Sequence, residues 1–450
     1  MLPGKTSKKP AIPASAAVED PFGLLPDEVI QHILSFLPAQ QAVRTCVLAQ
    51  RWRCLWEGAT GLRITAPNAP ELPVAPDDLA TLGELREFVD HLLLLRWHAP
   101  LDTCLLMFNV PEDADADVPH VNLWIRHVIR CQVRRLQLSI SREDKAEGLH
   151  FYVDNLPLVS RHLTRLELTD TGLNDSFLDL SGCPLLEDLE IYNGCFVCVK
   201  RILSNSVKRL TIEGSIFSDN IRTRIDVPSI VSLRLEDPSW GRTPTLGNMP
   251  LLVEAFVRFG LGTESMDHCD NSDSGDCNDD QCEGCYALEG DQSNDSTNND
   301  TNRNRSVLLQ GLSEAKSLVL IDDIQTYIFK RDMKWCLTFR KLKYLSLNEY
   351  WCVPPDFRAL TCILKHSPAL EKLTLYIHSK GPEHKVEIKG GHNPVQGSTL
   401  ISENLRIVEV KCEVVDERVL KVLNLLNTLN IDFNYEEEKE VGSEHGSSTS

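Results

Sequence analysis

A short phrase recurs along this chain at a nearly constant interval, and it constrains the fold more tightly than any other feature. The phrase is an apolar residue, two or three others, then apolar-x-apolar: L-T-R-L-E-L at 163–168, L-L-E-D-L-E-I at 185–191, V-K-R-L-T-I at 207–212, I-V-S-L-R-L at 230–235 and L-V-E-A-F-V at 252–257. The equivalent positions Leu166, Leu189, Leu210, Leu233 and Ala255 stand roughly 21 to 23 residues apart. Alternation of apolar and polar residues is the period of a strand, so each phrase predicts one short strand. Stacked strands would share an apolar ladder that one unit could not bury alone. The pattern returns at 315–320, 342–347, 370–375 and 405–410 with longer spacings, which predicts larger connecting elements there. Upstream, helix-like stretches at 82–93 and 121–129 alternate with strand-like ones at 101–108 and 133–140.

The remaining positions of each strand point to the opposite face. They include Arg165, Glu167, Asp188, Glu190, Arg209, Thr211, Ser232, Arg234, Lys343, Ser346, Lys372 and Thr374, a surface of mixed charge suited to recognition by pattern. Between Phe259 and Val307 the repeat stops. Residues 263–305 are acidic, rich in Asn, Ser and Gly and almost free of large apolar side chains, a composition expected to be disordered. Removing about 40 residues brings the step from Ala255 to Leu318 back to one repeat length, which marks an insertion. It holds His268, Cys269, Cys277 and C-E-G-C at 282–285; only the last has a zinc-type spacing, and no metal is assigned. D-N-S-D-S-G from Asp270 has Gly275 in place for a calcium loop but Gln281 where the bidentate glutamate belongs. C-F-V-C at 195–198 carries Phe196 and Val197 beside a repeat strand and reads as buried packing.

Residues 21 to 57 form a different kind of segment. Leu24, Leu25, Val29, Ile30, Ile33, Leu34 and Leu37 fall at spacings of three and four, one broad stripe on a helix. Pro26 suits its first turn, with Asp27 and Glu28 at the positive end, and Pro38 stops it. Ala42, Val43, Cys46, Val47 and Leu48 support a second short helix, and Trp52, Leu55 and Trp56 close the segment. About forty residues cannot bury so many large apolar side chains among themselves, so another chain is expected to cover part of the stripe.

The order L-P-D-E-V-I-x-x-I-L-S-F-L, A-V-R-T-C-V-L, R-W-R-x-L-W resembles an F-box, the three-helix motif that docks on the Skp1 adaptor of SCF ubiquitin ligases. Ala49 stands where the family often has serine, which weakens a cap and leaves the apolar contact in place. The P-L-L-E-D-L and S-P-A-L-E-K-L phrases resemble the irregular leucine-rich repeats of plant F-box proteins, and 403–426 resembles their FBD-like terminal region. The resemblance implies an α/β fold: a three-helix F-box, then a curved leucine-rich-repeat solenoid with a parallel sheet on its concave face. The expected division is a tail at 1–20, F-box at 21–61, repeats at 62–260, insertion at 261–306, repeats with an FBD-like cap at 307–432 and a tail at 433–450. It implies Skp1 contact through Leu24, Leu25, Pro26, Ile30, Ile33, Leu34, Leu37, Val43, Val47, Leu48, Trp52, Leu55 and Trp56. A protein target would then meet the concave face at Arg165, Glu167, Asp188, Glu190, Arg209, Arg234, Lys343 and Lys372.

A net charge of -19 and a pI near 5.2 argue against nonspecific nucleic-acid binding. No secretory or membrane-spanning run is present, so a soluble intracellular protein of nucleus or cytoplasm is expected, with reduced cysteines such as Cys104, Cys131 and Cys183 packed inside. No phosphate loop, nucleophile elbow or paired-carboxylate site emerges, and neither catalysis nor a cofactor is expected. The expected role is the substrate receptor of a ubiquitin ligase, with cullin and RING subunits reached through Skp1; the alternative is a repeat scaffold that binds partners without ubiquitylation.

Overall fold

The computed structural model describes residues 22, 24–65, 82–110, 118–142, 150–259, 264–265, 307–322, 329, 332–333, 337–352, 357–377, 386–392, 402–412, 414–429 and 431–434. The expected tails, the Pro-rich stretch at 66–80 and the insertion with its histidine and cysteines lie outside the described residues, except Glu264–Ser265 and the tail's first two residues.

Two inward residues per strand organise the chain. A long sheet takes in β1 (Gly61–Thr65), β2 (Thr103–Val110), β3 (Arg135–Arg142), β4 (Arg165–Thr169), β5 (Asp188–Tyr192), β6 (Arg209–Glu213), β7 (Ser232–Glu236), β8 (Glu254–Arg258), β9 (Ser317–Ile321), β10 (Tyr344–Asn348) and β11 (Lys372–Ile377) as parallel neighbours in chain order. The register places Leu62, Cys104, Leu136, Leu166, Leu189, Leu210, Leu233, Ala255, Leu318, Leu345 and Leu373 side by side. Two residues on, Ile64, Leu106, Leu138, Leu168, Ile191, Ile212, Leu235, Val257, Leu320, Leu347 and Leu375 form a second row, and both rows are buried. Parallel strands buried on this face need long crossovers, and the repeat length supplies them.

The crossovers change in kind along the chain. Early ones are helical: α1 (Asp27–Leu34) and α2 (Ala39–Arg44) precede β1, α3 (Leu82–Arg96) precedes β2 and α4 (Val118–Arg130) precedes β3. Trp124 of α4 meets Phe108 of β2 edge to face at 5.9 Å. From β4 to β8 the crossovers instead form two further parallel ladders of two- and three-residue strands, at 151–265 and 201–246. A left-handed residue follows each of β4 to β7, at Asp170, Asn193, Gly214 and Asp237. Each donates its amide to the last carbonyl of the next strand, at Tyr192, Glu213, Glu236 and Arg258. Asp, Asn and Gly tolerate this conformation best, which is why these types recur there.

β8 pairs directly with β9, Ala255 opposite Leu318, so the chain between them leaves the long sheet and returns to the adjacent rung. At the return the amides of Val307, Leu308 and Leu309 all donate to the buried Asp332 carboxylate, at 2.9, 2.7 and 2.9 Å. The parallel pattern ends at the C-terminal edge. β13 (Ile407–Cys412) lies parallel to β11, but β12 (Val386–His392) and β14 (Ile431–Asn434) add on antiparallel, in the order β11-β13-β12-β14. The sequence reading of strand, turn and helix at 403–426 caught β13 and α5 (Glu417–Thr428), which Asp416 caps through the amides of Arg418 and Val419, and missed the antiparallel pair. Among the described residues the parallel ladder stops at β13, and the antiparallel strands lie at the edge.

Asp332→Ala is expected to cost about 3 kcal/mol, because three buried amides lose a charged acceptor; urea unfolding measures it. Deleting residues 267 to 304 is expected to hold or raise Tm, since each halving of a loop lowers the closure cost by only about 0.6 kcal/mol. A large drop would show that this stretch packs on the sheet.

Candidate functional sites: the N-terminal helices and the outward sheet face

The N-terminal helices are bound to the first strand rather than strung beside it. Pro26 and Pro38 cap α1 and α2 without side-chain bonds, each just before its helix. Gln40 Nε2 donates to the Thr65 carbonyl at 3.1 Å, and Gly61 lies so close to Ser35 that a Cβ would stand 2.6 Å from its carbonyl oxygen. The closing segment Gln50–Gly58 is a 3-10 helix, preceded by Ala49 with no side-chain cap. Arg51 ties it to α1 through Asp27 and the Leu25 carbonyl, and Phe22 meets Trp52 edge to face at 5.8 Å. Arg96, buried at the end of α3, donates to the carbonyls of Trp56 at 2.8 Å and Ala59 at 2.7 Å. Burial pushes its pKa down.

This packing divides the apolar set read from the sequence. Ile30, Leu34, Trp52, Leu55 and Trp56 are buried in the chain's own core, and Leu25, Leu37 and Val43 pack half-buried against it. β1 and α3 supply the cover that forty residues alone could not. Leu24, Pro26, Ile33, Val47 and Leu48 face solvent, Leu24 at 96% and Val47 at 84%, and they are joined by Val29 and Phe36. The solvent-accessible part of the apolar set is thus the second group, with Leu25, Leu37 and Val43 partly accessible.

The outward face of the long sheet has its own rows. One runs Arg135, Arg165, Asp188, Arg209, Ser232, Glu254, Ser317, Tyr344, Lys372; the next runs Gln137, Glu167, Glu190, Thr211, Arg234, Phe256, Val319, Ser346, Thr374. Lys343 lies outside these rows. It precedes β10 by one residue, and because sides alternate residue by residue, Tyr344 takes the outward position. Thr374 sits in its row but is buried. Most of the charges pair across rungs, Arg165 with Glu190 at 2.9 Å, Arg209 with Asp188, Arg258 with the buried Glu236, and Lys372 with Glu409 at 2.9 Å, while Arg234 pairs with Glu236 within its own strand. Arg234 also lies over the Phe256 ring at 4.3 Å. Burial, and then Glu190, push the Glu167 carboxyl up. Ser317, Val319, Ile321, Tyr344, Ser346 and Asn348 make a window without charge between these paired groups, which the sequence reading did not single out.

Among the described residues no three His, Cys, Asp or Glu side chains are grouped as metal ligands, and no helix is long and apolar enough to cross a membrane. Cys104, Cys131 and Cys183 are buried, and burial pushes all three thiols up. Cys195 is buried and Cys198 exposed.

The arrangement is that of a helical docking module fixed to the first strand of a long repeat sheet. The F-box domain family matches residues 22–59, so the N-terminal helices are an F-box domain. The chain is similar to an F-box/LRR-repeat protein of Arabidopsis thaliana, 27% identical over 434 residues that cover 87% of this chain and 76% of the relative. An Arabidopsis F-box/FBD/LRR-repeat protein is 31% identical over 43% of this chain and 48% of its own length. An FBD-associated F-box protein of the same plant is 26% identical over 53% and 57%. The homologues are thus plant F-box proteins with leucine-rich-repeat and FBD features. The F-box is generally a Skp1-binding module, and F-box/LRR proteins are generally non-catalytic adaptors of ubiquitin ligases.

Arg96→Met is expected to destabilise the chain by about 2 to 4 kcal/mol, because two buried carbonyls lose their donor. Calorimetry checks it; an unchanged Tm would show that the F-box does not depend on this anchor.

Proposed function

We propose that this chain is the substrate-recognition subunit of an SCF-type ubiquitin ligase. Its F-box docks on a Skp1-type adaptor and, through it, on cullin and RING subunits. The long sheet, read as the concave face of a leucine-rich-repeat solenoid, holds the protein target, so that a target lysine sits at high effective concentration near the conjugating enzyme. The chain acts inside the cell, in nucleus or cytoplasm. The observation that carries this reading is the division of the F-box: one part of its apolar set is buried internally, and Leu24, Phe36, Val47, Leu48 and, in part, Ile33 are exposed to solvent. An exposed apolar group of this size on a segment matching an adaptor-binding domain is what a docking surface requires.

The triple variant Leu24→Ser, Ile33→Ser, Leu48→Ser removes exposed side chains only. It is expected to keep the fold and to lose adaptor binding by several orders of magnitude, since each buried contact contributes about 1.5 to 3 kcal/mol. Undiminished co-purification with the adaptor would sink the reading. For the target face, Arg209→Glu with Arg234→Glu breaks the Arg209–Asp188 pair between rungs and the Arg234–Glu236 pair within one, and proximity labelling under proteasome inhibition is expected to show target loss with the adaptor retained. Retention of both would move recognition off this face.

A further inference from the structure

The short parallel ladder of Arg201–Leu203, Arg224–Asp226 and Thr245–Leu246 carries two like charges side by side. Its register sets Arg224 opposite Arg201, and Ile225 opposite Ile202 and Leu246. Ile202, Ile225 and Leu246 are buried, so alternation turns both arginines to the other side of the ladder. Like charges directly opposite one another on neighbouring strands repel. One carboxylate answers both. Asp226, two residues after Arg224 and on the same side, accepts from Arg224 Nε at 2.9 and 2.8 Å and from Arg201 Nε at 3.1 Å. Two positive groups against one negative group leave a surplus of one positive charge.

Asp226 is itself held in place. Its carbonyl accepts the Ser204 amide at 3.3 Å, and Gly247 lies so close to its carboxylate that a Cβ there would collide with it. The two guanidiniums are therefore set by a fixed partner, and each spends its Nε on that partner. Their terminal amines have no partner among the described residues.

Arg224 and Asp226 line a groove of about 460 Å³, together with Asn205, Asn248, Asp179 and Ser204. Asn205 and Asn248 are exposed, and their carboxamides have no partner among the described residues. The acceptors of the groove are engaged by contrast. Asp179 takes the amide and the hydroxyl of Ser181 at 3.2 and 2.6 Å, and the Ser204 hydroxyl takes the amides of Ser206 and Val207 at 3.3 and 3.2 Å. The hydrogen-bonding capacity left over comes mainly from donors, the guanidinium amines and the carboxamides. Such a surplus calls for an anion rich in acceptors.

A carboxylate offers one pair of oxygens and answers one guanidinium fork. A phosphate monoester offers three acceptor oxygens and about −1.5 to −2 of charge at neutral pH, enough to meet two forks and cover the surplus. Neighbouring strands lie about 4.8 Å apart, which brings both forks within reach of one such group. The groove volume falls within the range of small-molecule sites, about 300 to 1,000 Å³, so it has room for the organic part of an ester beside the carboxamides.

We propose that this groove binds the phosphate monoester of a small molecule, with Arg224 and Arg201 holding the phosphate and Asn205 and Asn248 at its rim. The site shares no residue with the F-box or with the outward rows of the long sheet, so it stands independently of the adaptor and target readings.

The test uses the full chain with inorganic phosphate and glycerol 3-phosphate as probes, Tm by scanning calorimetry, and sodium chloride to match ionic strength throughout. A ligand that binds only the folded chain raises Tm with its concentration. Both probes are expected to give a saturable rise, glycerol 3-phosphate at the lower concentration. Arg201→Gln is expected to raise the half-saturating concentration about tenfold, the loss of one charge-assisted contact. Because that change also touches Asp226, Asn205→Asp with Asn248→Asp supplies a second variant. It keeps both arginine pairs, sets two carboxylates at the rim, and is expected to abolish the response while Tm in chloride stays unchanged. A response that survives both variants, or no saturable rise in the unaltered chain, would overturn the site. An equal rise with acetate would assign the forks to a carboxylate and overturn the phosphate. A phosphoserine peptide acting at a lower concentration than glycerol 3-phosphate would give the groove to a protein ligand and overturn the small-molecule class.

Discussion

Two buried residues per strand, stacked in register from Leu62 and Ile64 to Leu373 and Leu375, are what everything else in this structure rests on. No single rung could stay folded, because a five-residue strand has only two side chains to bury and both need neighbours above and below. The parallel register follows from the same fact. Shifting any strand by one residue would bring Arg165, Asp188 or Arg209 into the core and put leucines in water. Variation is therefore tolerated in the crossovers, which are helices early and short strands later, while the rungs keep their spacing. The junction at β8 and β9 shows how far this goes: the chain departs for nearly sixty residues and resumes on the next rung with Ala255 against Leu318.

The F-box takes its rigidity from this ladder. β1 begins at Gly61, and Asp102, just before β2, donates its amide to Thr60 at 2.7 Å, so the sheet starts immediately where the helices stop. Gln40 and Arg96 then close polar bonds over the same junction. These buried groups have specific partners, and a swivelling F-box would leave them unsatisfied at about 1 to 3 kcal/mol each. A chain built this way holds its sheet face at a set distance and angle from its F-box, as the proposed receptor role requires.

On the sheet face the charged residues neutralise one another before any partner arrives. Arg209 with Asp188 and Arg234 with Glu236 join half-exposed guanidiniums to more deeply set carboxylates, and they decide what the surface offers. A charged ligand would have to compete with these pairs, whereas the window at Val319 and Tyr344 asks only for apolar contact.

The sequence by itself determined the ladder, because its period of two within a period of 21 to 23 leaves one stacking solution, and it determined the F-box, whose apolar spacing and tryptophans are local signals. The Asp, Asn and Gly residues closing β4 to β7 were equally legible, as turn formers at equivalent places. What only the tertiary structure decided is which half of each apolar set stays in water. A helical stripe broad enough to hold Ile30 and Ile33 does not say that β1 and α3 cover the first and leave the second, since that depends on residues thirty to sixty positions away. Lys343 shows the same limit in a strand, where the phase of the alternation is set by the neighbouring rung and one residue exchanges the two faces. Nothing in the sequence singles out Arg96 as buried and Trp97 as exposed; Arg96 turns inward to the F-box carbonyls, a long-range contact that no local pattern records.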